Sequence, residues 1–290
     1  RQYRTILSID EIPKVLQDAF VSIEDQRFYT HHGIDLKSIA GATLTNIKSR
    51  NLVRGGSTIT QQLVKNVYLT NEKTLTRKIR EAYLALRVES VLSKPEILEG
   101  YLNRIDLGQG AFGVEAASQS YFSKHAKDIN LAQAALLAGI AKSPVEYPPV
   151  KRLTVDNFDK DKNKLVGTTV IDGIEYNIVL NDKAFERQKI VLKKMLDLGK
   201  ITEAEYKEAL DFDIVGSINP GIKKYHQMSS YSTDFIKAQA TRELMKLYNV
   251  SADEAEYKLL TNGYHIISSI DKLKQNQLEN VYENIKTYIE

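Results

Sequence analysis

The sequence predicts a mainly α fold interrupted by one small β-hairpin insertion around residues 150–182. Three observations carry this: apolar residues recur at three- and four-residue spacing across 11–149, capping signatures open several of those stretches, and β-branched residues flank an Asp172-Gly173 turn signal. Ile12, Val15, Leu16, Ala19, Phe20 and Ile23 mark a helix ending near Glu24, with Pro13 near its start, where a missing N–H is harmless. Leu36, Ile39, Ala40, Leu44 and Ile47 mark a second, followed by the polar, basic segment Lys48 to Gly56, which reads as a mobile loop. Ser57 can cap a helix from Thr58 to about Leu69, and Thr74 or Thr76 can open another to about Leu92. Ser93 with Glu96, around Pro95, and Asn130 with Gln133 form capping boxes. After Pro148-Pro149, strands over 168–171 and 174–180 form a hairpin. Helices return at 183–198, stopped by Gly199, and at 203–210 behind Thr202 and Glu205. Two more fill 231–248 and 252–260. Asn262-Gly263 then turns into a strand, Tyr264 to Ile270, before a polar helix from about Lys272.

With 290 residues, 42% apolar and 27% charged, the chain can bury a sizeable core. Its 40 basic and 37 acidic residues give a net charge of +3, which names no partner, and no nucleic acid is expected. Cysteine is absent, which excludes disulfides and thiolate metal sites. No stretch reaches the roughly 18 apolar residues of a membrane span; the most apolar helix, Leu131 to Ala141, contains Gln133 and reads as core. The chain starts at Arg1 with neither an initiator Met nor a signal-peptide pattern, so it reads as a piece of something longer.

Four neighbourhoods combine carboxylates, cations and amides in ways folding alone does not require. In Glu24 to Gly33, Glu24 falls at the margin of a buried face, where partial desolvation would raise its pKa towards that of a general base. The alternative is surface pairing of Glu24 and Asp25 with Arg27, or capping of the helix end. In Gly55 to Asn66, glycines leading into a helix start leave free N–H groups, and Thr58, Gln62, Lys65 and Asn66 form a polar stripe suited to phosphate oxygens. An amphipathic helix with Ile59, Leu63 and Val67 inward has the same spacing. The segment is not a P-loop, because no Gly-Lys-Ser/Thr follows. Arg77, Lys78 and Arg80 gather near a helix N-terminus, against the macrodipole, with Glu81 beside them. A bound anion such as pyrophosphate rationalises that cluster; a solvent-facing charge run is the alternative. Lys94 to Phe122 reads mainly as structure, with a glycine-bearing loop lining a groove.

In order and spacing these segments resemble the five motifs of family 51 glycosyltransferases, the transglycosylase domains of class A penicillin-binding proteins. Glu24, Asp25, Phe28, His31 and Gly33 match the first; residues 55–65 the second; Arg77, Lys78 and Glu81 the third; Lys94 to Phe122 the fourth; and Ala134 to Gly139 through Ser143-Pro144 and Tyr147-Pro148 the fifth. The resemblance implies a lysozyme-like, two-lobed transglycosylase fold over 1–215 (core 11–149, insertion 150–182, helices 183–215). Residues 216–290 would be a linker and the start of a transpeptidase-side region. Ser269-Ile270-Asp271-Lys272 fits Ser-x-x-Lys, but no Lys-Thr-Gly or Ser-x-Asn follows, and it is taken as coincidence.

The same resemblance implies Glu24 and Glu81 as catalytic residues. Asp25, Phe28, His31, Ser57, Thr58, Gln61, Gln62, Lys65, Asn66, Arg77 and Lys78 would bind pyrophosphate and sugar. A divalent cation, Mg or Mn, would sit near Glu81, with no organic cofactor. Expected partners are lipid II and the growing glycan strand, the membrane surface through 36–54, inhibitors of the moenomycin phosphoglycolipid type, and cell-wall synthesis proteins. The location implied is the extracytoplasmic face of the cell membrane, with a transmembrane anchor upstream of Arg1. A lysozyme-like glycosidase is the rival enzyme, disfavoured because a neutral glycosidic bond creates no pyrophosphate leaving group. A lipid-II-binding scaffold without turnover is the non-enzymatic rival.

Overall fold

A computed structural model of the protein describes residues 6–41, 56–68, 74–171, 174–220 and 231–250, and single positions 255, 259, 264, 266, 267 and 274. By its internal contacts the chain divides into two units, 1–222 and 223–290.

The first unit is built around helices that the capping signals locate well. Helix α1, Lys14–Glu24, starts directly after Pro13 and buries Leu16, Ala19, Phe20 and Val21. Helix α2 is Ile59–Tyr68 and α3 is Leu75–Glu89, the latter capped by the Thr74 side chain, which accepts from the Arg77 amide. Helix α4, Lys94–Leu102, opens on the Ser93/Glu96 box, α5 is Val114–Phe122, and α6, Leu131–Ile140, opens on Asn130/Gln133. Every residue of α6 from Ala132 to Ile140 is buried, which fits a helix apolar on all sides. It packs on α1 and on α7, Asp182–Asp197, while α2 packs on α3 and α4. Helix α8, Glu203–Asp211, follows Gly199, whose φ of +64° suits a helix stop.

The insertion is larger than a hairpin. Strands β2 (Leu165–Ile171) and β3 (Ile174–Leu180) pair as expected, but β1, Val150–Thr154, joins β3 on its other edge, giving an antiparallel sheet in the order β1-β3-β2. Its root is anchored: Asn181 Nδ2 donates to the carbonyls of Glu146 (2.8 Å) and Pro148 (2.7 Å), and Val150, Ile178 and Val179 are buried.

Two details of α2 differ from the sequence reading. Thr58, not Ser57, is its cap: the Gln61 amide donates to Thr58 Oγ1 (3.1 Å) and the Thr58 amide to Gln61 Oε1 (3.0 Å), a reciprocal box. Val67 is exposed rather than inward, because the packed face ends at Val64.

Residues 36–41 are helical; the rest of the predicted 36–47 helix and nearly all of the basic loop lie outside the described residues. In the second unit, α9 spans Tyr231–Tyr248 as expected. Positions 264, 266 and 267 are not in a strand, contrary to the reading of 264–270, and the helix at 252–260 lies mostly outside the described residues. No described helix is long and apolar enough to cross a membrane.

Candidate active site

Glu24 is the last residue of α1, and the chain leaves the helix at Asp25. Glu24 is half-buried, and Gln62 Nε2 on α2 donates to its Oε2 at 2.9 Å. The amide is oriented in turn by Tyr101 on α4, whose hydroxyl donates to Gln62 Oε1 at 3.4 Å, leaving the NH2 for the carboxylate. Burial pushes the Glu24 carboxyl above its usual range; the Gln62 bond and the charges of Arg187 and Lys65 pull the other way. Burial, then the charges of Glu24 and Asp25, push the Tyr101 phenol well above its ordinary value, so it remains a neutral donor. The local arrangement therefore holds one carboxylate desolvated, hydrogen-bonded and faced by cations, which is what a general base near neutral pH requires.

Arg27 pairs with neither Glu24 nor Asp25. It makes a two-pronged bond to Asp35, at 2.9 and 2.8 Å, and holds that carboxyl far below the usual range. Surface pairing thus does not account for Glu24-Asp25. Asp25 Oδ2 accepts from the Ile59 amide (3.0 Å) and faces His31 Nε2 (2.8 Å), which joins the end of α1 to the start of α2.

The second half of the site stands on α3. Glu81 is buried at 2% exposure, with Arg77 Nη1 on Oε2 at 3.1 Å and Lys78 Nζ on Oε1. Lys78 Nζ also donates to Ser57 Oγ at 2.8 Å, just ahead of α2. Glu81 offsets part of that positive charge from within the helix, because Arg77 and Lys78 both pair with its one carboxylate and a net positive charge remains. Both oxygens of Glu81 are engaged by cations, and no metal-sized group of three His, Asp or Glu side chains occurs among the described residues. A divalent ion beside Glu81 would therefore have to displace one of these cations and draw its remaining ligands from phosphate and water.

Residues 1–196 match the Transglycosylase family. The chain belongs to that family. Penicillin-binding protein 1A of Clostridium perfringens (strain 13) is 37% identical over 99% of this chain and 40% of its own length. The Aquifex aeolicus protein of that name is 37% identical over 96% of this chain and 33% of its own length. The transglycosylase chain thus spans well under half of each of these relatives. A crystal structure of penicillin-binding protein 1A from Haemophilus influenzae covers 85% of this chain and 22% of its own, at 20% identity and a TM-score of 0.38. The enzyme class that goes with this membership is peptidoglycan glycosyltransferase.

Within this transglycosylase, α2 gathers the two halves. Glu24 meets it through Gln62, Lys65 is half-buried near Glu24, and Glu81 meets it through Lys78 and Ser57. Asn66 is exposed on the same helix. Asp25, Phe28, His31, Thr58 and Gln61 have a different character. Phe28 is fully buried, Thr58 Oγ1 donates to the Gly33 carbonyl at 2.6 Å, Gln61 closes the cap, and Asp25 and His31 bond each other. All five side chains are enclosed by protein and make their contacts within it. The α2 amides of Ile59 and Gln61 are likewise taken, by Asp25 and Thr58, so the free N–H groups expected at that helix start are fewer than the glycines suggested.

Two groups escaped the sequence reading. Tyr101 looked like core because it falls in an apolar run, and only the packing of α4 on α2 turns its hydroxyl to Gln62. Arg187 on α7 acts on Glu24 from far along the chain; burial lowers its pKa while Glu24 raises it. Its Cγ stands 3.1 Å from where a Cβ on Gly139 would be, so the glycine in α6 lets α7 pack close. Gly139, the one glycine of α6, is the sequence signal that could have pointed to a close approach there.

Proposed function

We propose that this domain polymerises lipid II into β-1,4-linked glycan strands. Glu24 takes the proton from the acceptor sugar's 4-hydroxyl as that oxygen attacks the anomeric carbon of the polyprenyl-pyrophosphate-linked donor. The new C–O bond forms as the bond from that carbon to the phosphate oxygen breaks, inverting the centre, and the electron pair leaves with the pyrophosphate. Lys78, Arg77 and Lys65 meet the charge that develops there, with Ser57 and Gln62 as hydrogen-bonding neighbours. Glu81 orients the two cations of its own helix, and no step is routed through a metal.

The observation that supports this most is the pairing on α2 of a carboxyl raised by burial, Glu24, with a cation pair anchored on Glu81. The test is labelled lipid II incubated with the protein and with Glu24→Gln. Polymer from the parent and none from the variant supports the reading. Cleavage of finished glycan without polymerisation would instead identify a glycosidase, and binding without product a scaffold.

The membrane surface belongs to the same proposal. Of 36–54 only 36–41 is described, with Leu36 and Ile39 exposed, but α3 continues the theme. Leu75 (85% exposed), Ile79 (70%), Tyr83 (62%) and Leu86 (47%) form an outward stripe at helical spacing, flanked by exposed Arg80 and Arg87. Apolar residues edged by arginine suit an anionic lipid surface, and the leaving-group cations stand on that helix, where a membrane-held pyrophosphate would arrive. Moenomycin-type phosphoglycolipids would occupy the same cations. Further cell-wall synthesis proteins as partners, an extracytoplasmic location with an upstream membrane anchor, and a domain ending near residue 215 before a transpeptidase-side region complete the proposal.

A further inference from the structure

Beneath the site lies a buried polar chain that the mechanism above does not use. Glu89, the last residue of α3, has a side chain only 5% exposed, and its Oε1 accepts from Thr60 Oγ1 on α2 (2.6 Å) and from Lys94 Nζ at the start of α4 (2.6 Å). The same oxygen stands 4.0 Å from His31 Nδ1, whose ring is 7% exposed and whose Nδ1 has no hydrogen-bond partner. The other ring nitrogen faces Asp25 at 2.8 Å, and Asp25 holds the Ile59 amide at 3.0 Å. Lys94 Nζ lies 4.6 Å from the centre of the Phe28 ring, which meets His31 edge-on at 6.2 Å. One carboxylate therefore joins α2, α3 and α4 and adjoins the segment that follows α1.

Ordinary folding does not favour such a node. A buried carboxylate and a part-buried ammonium each lose hydration, and an apolar pair of the same volume is often as stable or more so. The connections suggest another use. Two turns before Glu89 on α3 stands Glu81 with its cations; two residues after Thr60 on α2 stands Gln62, the partner of Glu24. Fixing Glu89 to Thr60 sets the register of those two helices. The link from His31 through Asp25 to Ile59 fixes the end of α1 to the same point.

Resting on the polymerase reading, we propose that Glu89, held by Lys94, is a positioning residue that sets the base half of the site, Glu24 and Gln62, against the leaving-group half, Glu81, Arg77 and Lys78. Neither Glu89 nor Lys94 touches the reacting atoms. They act through Thr60 and through the His31–Asp25 link, and a displacement of about 1 Å at a reacting centre is enough to cost up to roughly a hundredfold in rate.

The test uses the full chain with labelled lipid II, comparing Glu89→Gln, Lys94→Met, Lys94→Arg and Thr60→Val, with rates normalised to folded protein. Thr60→Val removes one hydroxyl and keeps the shape, so it guards against a variant that fails to fold. Glu89→Gln, Lys94→Met and Thr60→Val should each lower kcat by about tenfold to a hundredfold with KM for lipid II unchanged within about twofold, and Lys94→Arg should restore the rate. In parallel, the Glu24 carboxyl is titrated by 13C NMR; loosening of its bond from Gln62 should move its midpoint upward in the three damaging variants. Rates per folded molecule within about twofold of the parent, a loss expressed only in KM, or an unmoved Glu24 midpoint would overturn the proposal. If the parent makes no polymer, the polymerase reading fails, and the Glu24 titration still decides whether Glu89 and Lys94 position that carboxyl.

Discussion

At the scale of single residues, the most informative group is a destabilised one. Between the ordinary carboxylate range and the raised value of Glu24, the folded protein holds a proton that the unfolded chain has released. Stability therefore falls as pH rises through that window, and at neutral pH an ionised Glu24 works against folding. Glu24→Gln should abolish polymerisation, a loss of about 10²- to 10⁴-fold for a general base, yet raise Tm at neutral pH. Below the ordinary carboxylate range, where both forms are neutral, the gain in Tm should vanish. Melting curves at the two pH values check this, and a lower Tm at neutral pH would count against the desolvated base. Arg187 supplies the complementary case. Its charge favours the ionised form of Glu24, so Arg187→Met should shift the acid limb of the kcat–pH profile to higher pH and lower the rate at neutrality. An unmoved limb would show that the two charges do not communicate.

At the scale of elements, much of the architecture was written locally. The boxes at Ser93/Glu96, Asn130/Gln133 and Thr202/Glu205 each opened a helix where the pattern placed it, because a cap satisfies amides within four residues of itself. Thr58/Gln61 is a box of the same kind, hidden in the sequence behind the more conspicuous Ser57. What could not be read was set by distant partners. Strand β1 carries Lys151 and Arg152 and has no alternation, and it exists because β3 offers an edge to pair with. The close seat of the loop after α1 is similarly tertiary: Gly33 has φ +85°, and a Cβ there would stand 2.7 Å from the Ala85 carbonyl oxygen of α3. Gly33→Ala should cost about 1–3 kcal/mol in denaturant unfolding. It should also weaken the Thr58 bond to the Gly33 carbonyl, which ties α2 to that loop. On the outer side of α3, replacing Ile79 and Tyr83 by Glu puts two charges into the apolar stripe. Co-sedimentation with vesicles containing anionic lipid should fall, while the thermal transition, which does not depend on these exposed side chains, should stay put. Unchanged sedimentation would remove α3 from the lipid-facing surface.

For the whole molecule, the question is which part of the chain the chemistry needs. Glu24, Gln62, Lys65, Arg77, Lys78, Glu81, Tyr101 and Arg187 all fall within the unit 1–222, as does the Glu89 node. The sequence made the first six visible because acid, amide and cation cluster at motif spacing. Tyr101 and Arg187 stayed hidden because a lone Tyr or Arg in an amphipathic helix has no local mark of function until the helices pack. The unit also closes its own core: α6 is enclosed by α1 and α7, and Phe212, Ile214 and Val215 pack on the same cluster after α8. No described hydrogen bond among the site groups calls on a residue beyond 222. A chain ending at Ile222 should therefore fold with one cooperative transition and polymerise lipid II at a kcat within about threefold of the 290-residue protein. Ending the chain at Ala184 instead removes most of α7 and with it Arg187, and should abolish both the transition and the activity. Folded but inactive protein from the Ile222 truncation would mean that residues beyond the unit supply a group the chemistry needs, and the site as drawn would be incomplete.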